Sequence, residues 1–130
     1  MKWTSILSLI LIVSACKKSD NPSDYRDQYT GEYYCHVEIR RTTMTGVEIT
    51  EEYKTVHVTK ATADNEVVIL GYEVPIDKKG EFDHSKKING FRFFSLSFNP
   101  EDSLYISNNI GGLAEYTTKY YKGKKKYLLK

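Results

Sequence analysis

Apolar and polar side chains alternate with a period of two over much of this chain, beginning near Tyr29. Tyr33, Cys35, Val37 and Ile39 alternate with Tyr34, His36, Glu38 and Arg40, the pattern of a strand with one dry and one wet face. Thr43-Met44-Thr45-Gly46 reads as a turn in which Gly46 supplies a positive φ, and a second strand follows over residues 47–60. In it Val47, Ile49 and Tyr53 share one parity while Val56 and Val58 take the other, so a bulge or bend is expected near Lys54. Ala63-Asp64-Asn65 turns the chain again. Residues 67–76 (VVILGYEVPI) form the most apolar strand, with Gly71 inside it allowing close approach or strong coiling and Pro75 at an edge or end.

Asp77-Lys78-Lys79-Gly80 is a turn sequence that leads into a polar segment, residues 81–89, read as a weak strand or a loop. Residues 91–98 (FRFFSLSF) make a strand with Phe94, Leu96 and Phe98 on one side and Phe91 and Phe93 on the other. Asn99-Pro100-Glu101-Asp102 turns, residues 103–107 form a short strand and residues 108–112 turn once more. Strand residues 113–122 and a last stretch, 126–129, then flank Lys122-Gly123-Lys124-Lys125. After residue 16 no apolar set recurs at helical spacing for three turns. The pattern predicts an all-β domain. Short connections favour sequential antiparallel neighbours, hence an up-and-down meander of about seven to eight strands closing into a small barrel. A seven-stranded sandwich of immunoglobulin or transthyretin type is the alternative, because hairpin signals do not exclude a Greek-key return.

The first sixteen residues follow another logic. Lys2 supplies one positive charge, residues 6–13 (ILSLILIV) an apolar run, and Val13-Ser14-Ala15 small residues before Cys16. That is the layout of a secretory signal, and the run is far short of the roughly 20 apolar residues that cross a bilayer as a helix. Cysteine directly after small residues resembles the lipobox of Gram-negative lipoproteins. The resemblance implies cleavage before Cys16, attachment of lipid (palmitate-type acyl chains) to that cysteine, and a membrane partner reached through it. The implied place is the bacterial cell envelope, anchored in the outer membrane. Each buried CH2 of an acyl chain contributes about 0.8 kcal/mol, so several chains hold firmly.

Without residues 1–15 the 130-residue chain keeps 115, with 18 basic against 17 acidic side chains. That length suits one domain, and the near-neutral balance points to no nucleic-acid partner. Residues 17–28 (KKSDNPSDYRDQ) contain no aliphatic side chain and one aromatic, Tyr25; they are expected to be a flexible tether (16–28 with the lipidated cysteine) before a single β-domain over 29–130. Asp20 and Asp24 resemble surface-export signals of some Gram-negative lipoproteins. With Cys16 acylated, Cys35 has no partner in the chain and reads as a packing residue in a domain that depends on its core.

Tyr29-Thr30-Gly31-Glu32-Tyr33 at the start of the first strand resembles the Gly-x-aromatic opening of the lipocalin-like, or calycin, barrels. The resemblance implies that the Tyr33 ring closes the barrel floor, although calycins carry tryptophan there. The closing Gly-Gly-Leu, Thr-Thr and Lys-Gly-Lys-Lys segments are similar to those of small Gram-negative lipoproteins of unassigned function. In a barrel of eight strands or fewer, side chains can fill the interior outright.

Candidate chemistry is sparse. His36, His57 and His84 have no ligand-type spacing, so no metal is expected. Asp77-x-x-Gly80-x-x-Asp83 lacks the alternating acidic positions of a calcium loop. Glu51-Glu52 and Glu101-Asp102 are adjacent, so on a strand each pair faces opposite sides and forms no acid/base couple. No nucleophile elbow or phosphate loop is present, no cofactor is implied, and the expectation is a non-enzymatic protein.

Two surface features remain. Lys119, Lys122, Lys124, Lys125, Lys126 and Lys130 read as a solvated hairpin tip that blunts an edge strand, or as a patch for phosphates of lipid headgroups. Eleven tyrosines include the adjacent pairs Tyr33-Tyr34 and Tyr120-Tyr121, each showing one ring to either face. Tyr34 and Tyr121 are expected outward, where tyrosine offers contact area and a hydroxyl at low entropic cost to an envelope protein or glycan. The expected function is a binding or assembly accessory of the envelope. The alternative is a carrier whose interior, lined by Tyr33, Val37, Leu70 and Phe94, holds a small apolar ligand.

Overall fold

The computed structural model describes residues 24–84, 86–98 and 102–127. The lipobox, Cys16, Asp20, three of the four residues of the Asn99-Pro100-Glu101-Asp102 turn and Lys130 lie outside the described residues. A short 3-10 helix, Tyr25–Gln28, precedes seven strands: β1 (Gly31–Thr43), β2 (Gly46–Lys60), β3 (Glu66–Ile69), β4 (Tyr72–Pro75), β5 (Phe93–Ser97), β6 (Ser103–Gly111) and β7 (Tyr116–Lys125). All pairings are antiparallel, in the order β4-β3-β2-β1-β7-β6-β5. Because β1 pairs with β7, the meander runs in chain order round a curled half-barrel whose two edges are β4 and β5. The sandwich alternative is excluded by this single continuous sheet.

At one end the edges are stitched together. Ile76 bridges Phe82 and Glu81 bridges Ser97, with the Phe82 N–H donating to Leu96 O at 2.9 Å and the Phe98 N–H to Gly80 O at 2.9 Å. The polar segment after Gly80 is therefore half strand, half loop. Gly80 takes φ +77, and a β-carbon there would sit 2.7 Å from the Tyr29 ring, so glycine alone fits both backbone and neighbour.

The same end is closed by aromatic rings. Tyr33 is buried, tilted against Phe98 at 5.6 Å, and its hydroxyl donates to Tyr29 O at 2.8 Å. Tyr29 stacks on Phe98 at 5.0 Å, and Tyr25 donates to Ile76 O at 2.7 Å. The expected floor residue is thus one of a group. Part of the expected tether belongs to the domain: Arg26 is buried, and its Nη1 donates to the carbonyls of Ala61, Ala63 and Glu66 at 2.7–3.0 Å while Asp24 holds its other side at 2.5 Å. Asp24 also caps the helix. One arginine joins three carbonyls of the β2–β3 connection; the Ala63 and Glu66 oxygens also accept from the Glu66 and Ala61 N–H groups.

The core above the floor comes from alternate residues of each strand: Tyr33, Cys35 and Val37 of β1, Val56 and Val58 of β2, Phe94 and Leu96 of β5, Leu104 and Ile106 of β6, and Tyr121 of β7. Several strand expectations are corrected. No bulge occurs near Lys54, since β1 and β2 pair without interruption from Gly31↔Val58 to Thr43↔Gly46. Val47, Ile49 and Tyr53 instead lie on the outer face of a hairpin that projects beyond the core. Residues 67–76 are not one strand: Leu70 (φ 53) and Gly71 (φ 81) make a two-residue turn between β3 and β4, with the positive φ that primed hairpin turns require. Residues 108–111 continue β6, and Gly123 lies within β7.

Candidate functional site

Opposite the aromatic floor the half-barrel is open. Walls β1, β2, β6 and β7 run on past the core, whereas β3, β4 and β5 stop, so the upper concave face is uncovered on one side. The resulting mouth has a volume of about 500 Å³. Its apolar surface comes from Val56, Leu70, Tyr72, Phe91, Ile110 and Tyr121, and its polar groups include Lys54, Asn108 and Lys119. Phe91 fills the gap between the sheet edges, edge-on to Tyr72 at 4.8 Å and tilted against Phe94 at 5.4 Å. Leu70 is held there in a left-handed conformation uncommon for a branched side chain, a local cost of about 1 kcal/mol or more.

Asn108 is the unusual residue of this mouth. It is 2% exposed, it lies between Phe94 and Lys119 in the ladder, and its Oδ1 has no hydrogen-bond partner among the described residues. A buried amide oxygen left unpaired costs about 1–3 kcal/mol, so a native strand that keeps one needs a reason. Its neighbour Asn109 points to the convex side, where its Nδ2 donates to Thr118 Oγ1 at 2.8 Å and its Oδ1 is also unpaired. Lys119 is half-buried beside Asn108 and makes no ion pair with a described residue. Glu52 stands on the same concave face, opposite Val37.

The residues expected to bind are dispersed by the fold. Tyr33 and Phe94 pack the interior, as does Val37, so the barrel is filled below the mouth and of the four carrier residues Leu70 alone lines the mouth. Tyr34 is outward and half-exposed, stacked on Tyr53 at 5.6 Å with Lys126 Nζ 5.6 Å from its ring. Tyr121, expected outward, is 5% exposed: its register partners Val37 and Ile106 put it on the concave side, beneath the mouth, where burial raises the hydroxyl pKa. Tyr120 takes the outward place, with the Arg40 guanidinium 5.7 Å from its ring. Tyr34, Tyr53, Tyr105 and Tyr120 together make an aromatic convex face.

The lysine cluster is also split. β7 is a strand rather than a hairpin tip there, so Lys122 and Lys124 face outward while Lys119 and Lys125 share the parity of Tyr121; Lys126 donates to Thr55 Oγ1 at 2.8 Å. Cys35 is fully buried, and burial pushes its thiol up to about 11. His36 lies 3.6 Å from Glu51 and His57 3.3 Å from Glu32, both on the exposed face. Among the described residues no three His, Cys, Asp or Glu side chains converge on a point. Comparison with protein-family models, curated proteins and solved structures finds no match to this chain. Asn108 had no signal in the sequence beyond its place in an Asn-Asn pair between apolar Ile106 and Ile110, which alternate with it on one face.

Proposed function

We propose that this chain is a lipid-anchored, non-enzymatic binding protein of the bacterial cell envelope, held to the outer membrane through Cys16, and that its open mouth takes a small amphiphile. The unpaired, buried Oδ1 of Asn108 carries this reading, because it lies beneath an apolar surface and asks for a hydrogen-bond donor that the described residues do not supply. A ligand that fits has an apolar body for Leu70, Tyr72, Phe91 and Ile110, and a hydroxyl or N–H that reaches Asn108. Lys119 and Lys54 favour a negative charge near the rim, tempered by Glu52. Sites of this kind, largely apolar with a few placed polar groups, are the usual form of small-molecule pockets.

The test is a native mass spectrum of the full chain purified gently from membranes. The expected result is an adduct of a few hundred daltons that persists in Tyr34→Ser and is lost in Phe91→Ser. A bare chain that also fails to take up dodecanol, which has the apolar body and the hydroxyl donor, contradicts the reading.

A second reading, an assembly accessory that contacts an envelope protein or glycan, is favoured by the stacked Tyr34–Tyr53 pair and the exposed Tyr105 and Tyr120. It predicts partner capture that Tyr34→Ser weakens and Phe91→Ser does not.

A further inference from the structure

β2 is paired with β1 from Gly46 to Val58, but on its other side it meets β3 only at residues 58–60. Residues 46–57 therefore present a free strand edge twelve residues long. No backbone hydrogen bond from a described residue reaches it from that side. An edge of this length is a template for another strand, and proteins that leave one open usually shorten it, bend it or load it with charge. This one is uninterrupted in register, and its charges, Glu48, Glu51, Glu52 and Lys54, are of both signs, so that a second strand can pair with them rather than only be repelled.

We propose that this edge pairs with the same edge of a second copy of the chain, antiparallel, about a two-fold axis at Glu51. Two independent features select that arrangement. The first is length. The β1–β2 turn of the second copy, at residues 44–45, must stop where β3 begins, opposite residues 57–58; centring the pair on Glu51 sets Thr45 of one copy against His57 of the other and fills the free edge without running into β3.

The second feature is side-chain complementarity. In this register Glu48 opposes Lys54 twice on the concave face, and Ile49 opposes Tyr53 twice on the convex face, the aromatic–aliphatic and opposite-charge pairs that stabilise antiparallel ladders. A shift by one step in the two-fold centre, to Glu52, sets Glu52 against itself and Glu48 against Val56, and loses both sets. The unfavourable contact in the chosen register is Glu51 against Glu51. Isologous pairing of this kind closes at two copies and hides both edges. It also places the hairpin of the second copy along residues 54–57, the open side of the mouth.

The test is oxidative cross-linking in cells that express the full chain. Residues directly opposed across antiparallel strands have Cα atoms about 4.5–5.5 Å apart, within disulfide reach, so Glu51→Cys cross-links to itself and Tyr53→Cys does not. The wild-type chain, whose Cys35 is buried, is the control. Adding Lys54→Glu to Glu51→Cys reduces the dimer band to the control level, and adding Glu48→Lys as well restores it. Glu51→Gln raises the dimer fraction of the otherwise wild-type chain. Cross-linking at Tyr53→Cys instead, no dimer from either cysteine, a cross-link to a different protein, or a band that survives Lys54→Glu each overturns the proposal.

Discussion

Gly123 faces Cys35 across the β1–β7 ladder, and a β-carbon at residue 123 would overlap the cysteine sulfur and stand 2.7 Å from Tyr34 O. The pair works as one unit: the sulfur occupies the space that glycine vacates. Gly123→Ala is expected to cost about 2 kcal/mol or more, as overpacking of a filled core does. Urea denaturation measures the loss, and Cys35→Ala in the same chain should recover part of it. The thiol, raised to about 11 by burial, should resist alkylation at pH 8 in the folded chain and react once the chain unfolds.

The Arg26 clasp makes the start of the domain resistant to acid. Hydrogen bonding from the Arg26 side chain lowers the Asp24 pKa from 3.8 to about 2. The folded value lies below the unfolded one, so this contribution is present above pH 4 and is lost as the pH falls through 2. The melting temperature of Asp24→Asn should accordingly lie below that of the wild type at pH 5 and converge with it near pH 2. Arg26→Met, which removes three hydrogen bonds from a buried guanidinium and leaves the Ala63 and Glu66 carbonyls only their backbone donors, should lose on the order of 2 kcal/mol at any pH in that range.

Tyr34 and Tyr121 should separate cleanly. Tyr121→Ser removes a buried ring and is expected to cost about 3 kcal/mol or more. Tyr34→Ser removes an exposed ring stacked on another and should cost about 1 kcal/mol or less by the same urea titration.

The fold class was legible because β1 alternates without a break, and it alternates because both of its neighbours pair along its length. Adjacent tyrosines hid the parity of β7: Tyr120 and Tyr121 are equally good on either face, and only the opposing Val37 and Ile106 decide which is buried. The apparent phase flip in β2 arose because its first half projects past the core, where Val47 and Ile49 are exposed and hydrophobicity no longer marks the inner face. Arg26 was hidden for a different reason. A segment poor in apolar residues reads as disorder, yet one guanidinium with four partners docks it. The mouth needed the whole ring of strands, since Leu70, Phe91, Asn108 and Lys119 come from four separate stretches of sequence.

The proposed role of Asn108, kept for a ligand rather than for the fold, stands or falls with Asn108→Leu. The replacement is close in size and removes the unpaired amide oxygen. The measurement is urea denaturation of the ligand-stripped wild type and variant, with the adduct mass recorded on each chain before stripping. Asn108→Leu is expected to be more stable than the stripped wild type by about 1 kcal/mol and to carry no adduct. A variant that is less stable than the wild type, or one that keeps the adduct, would contradict it.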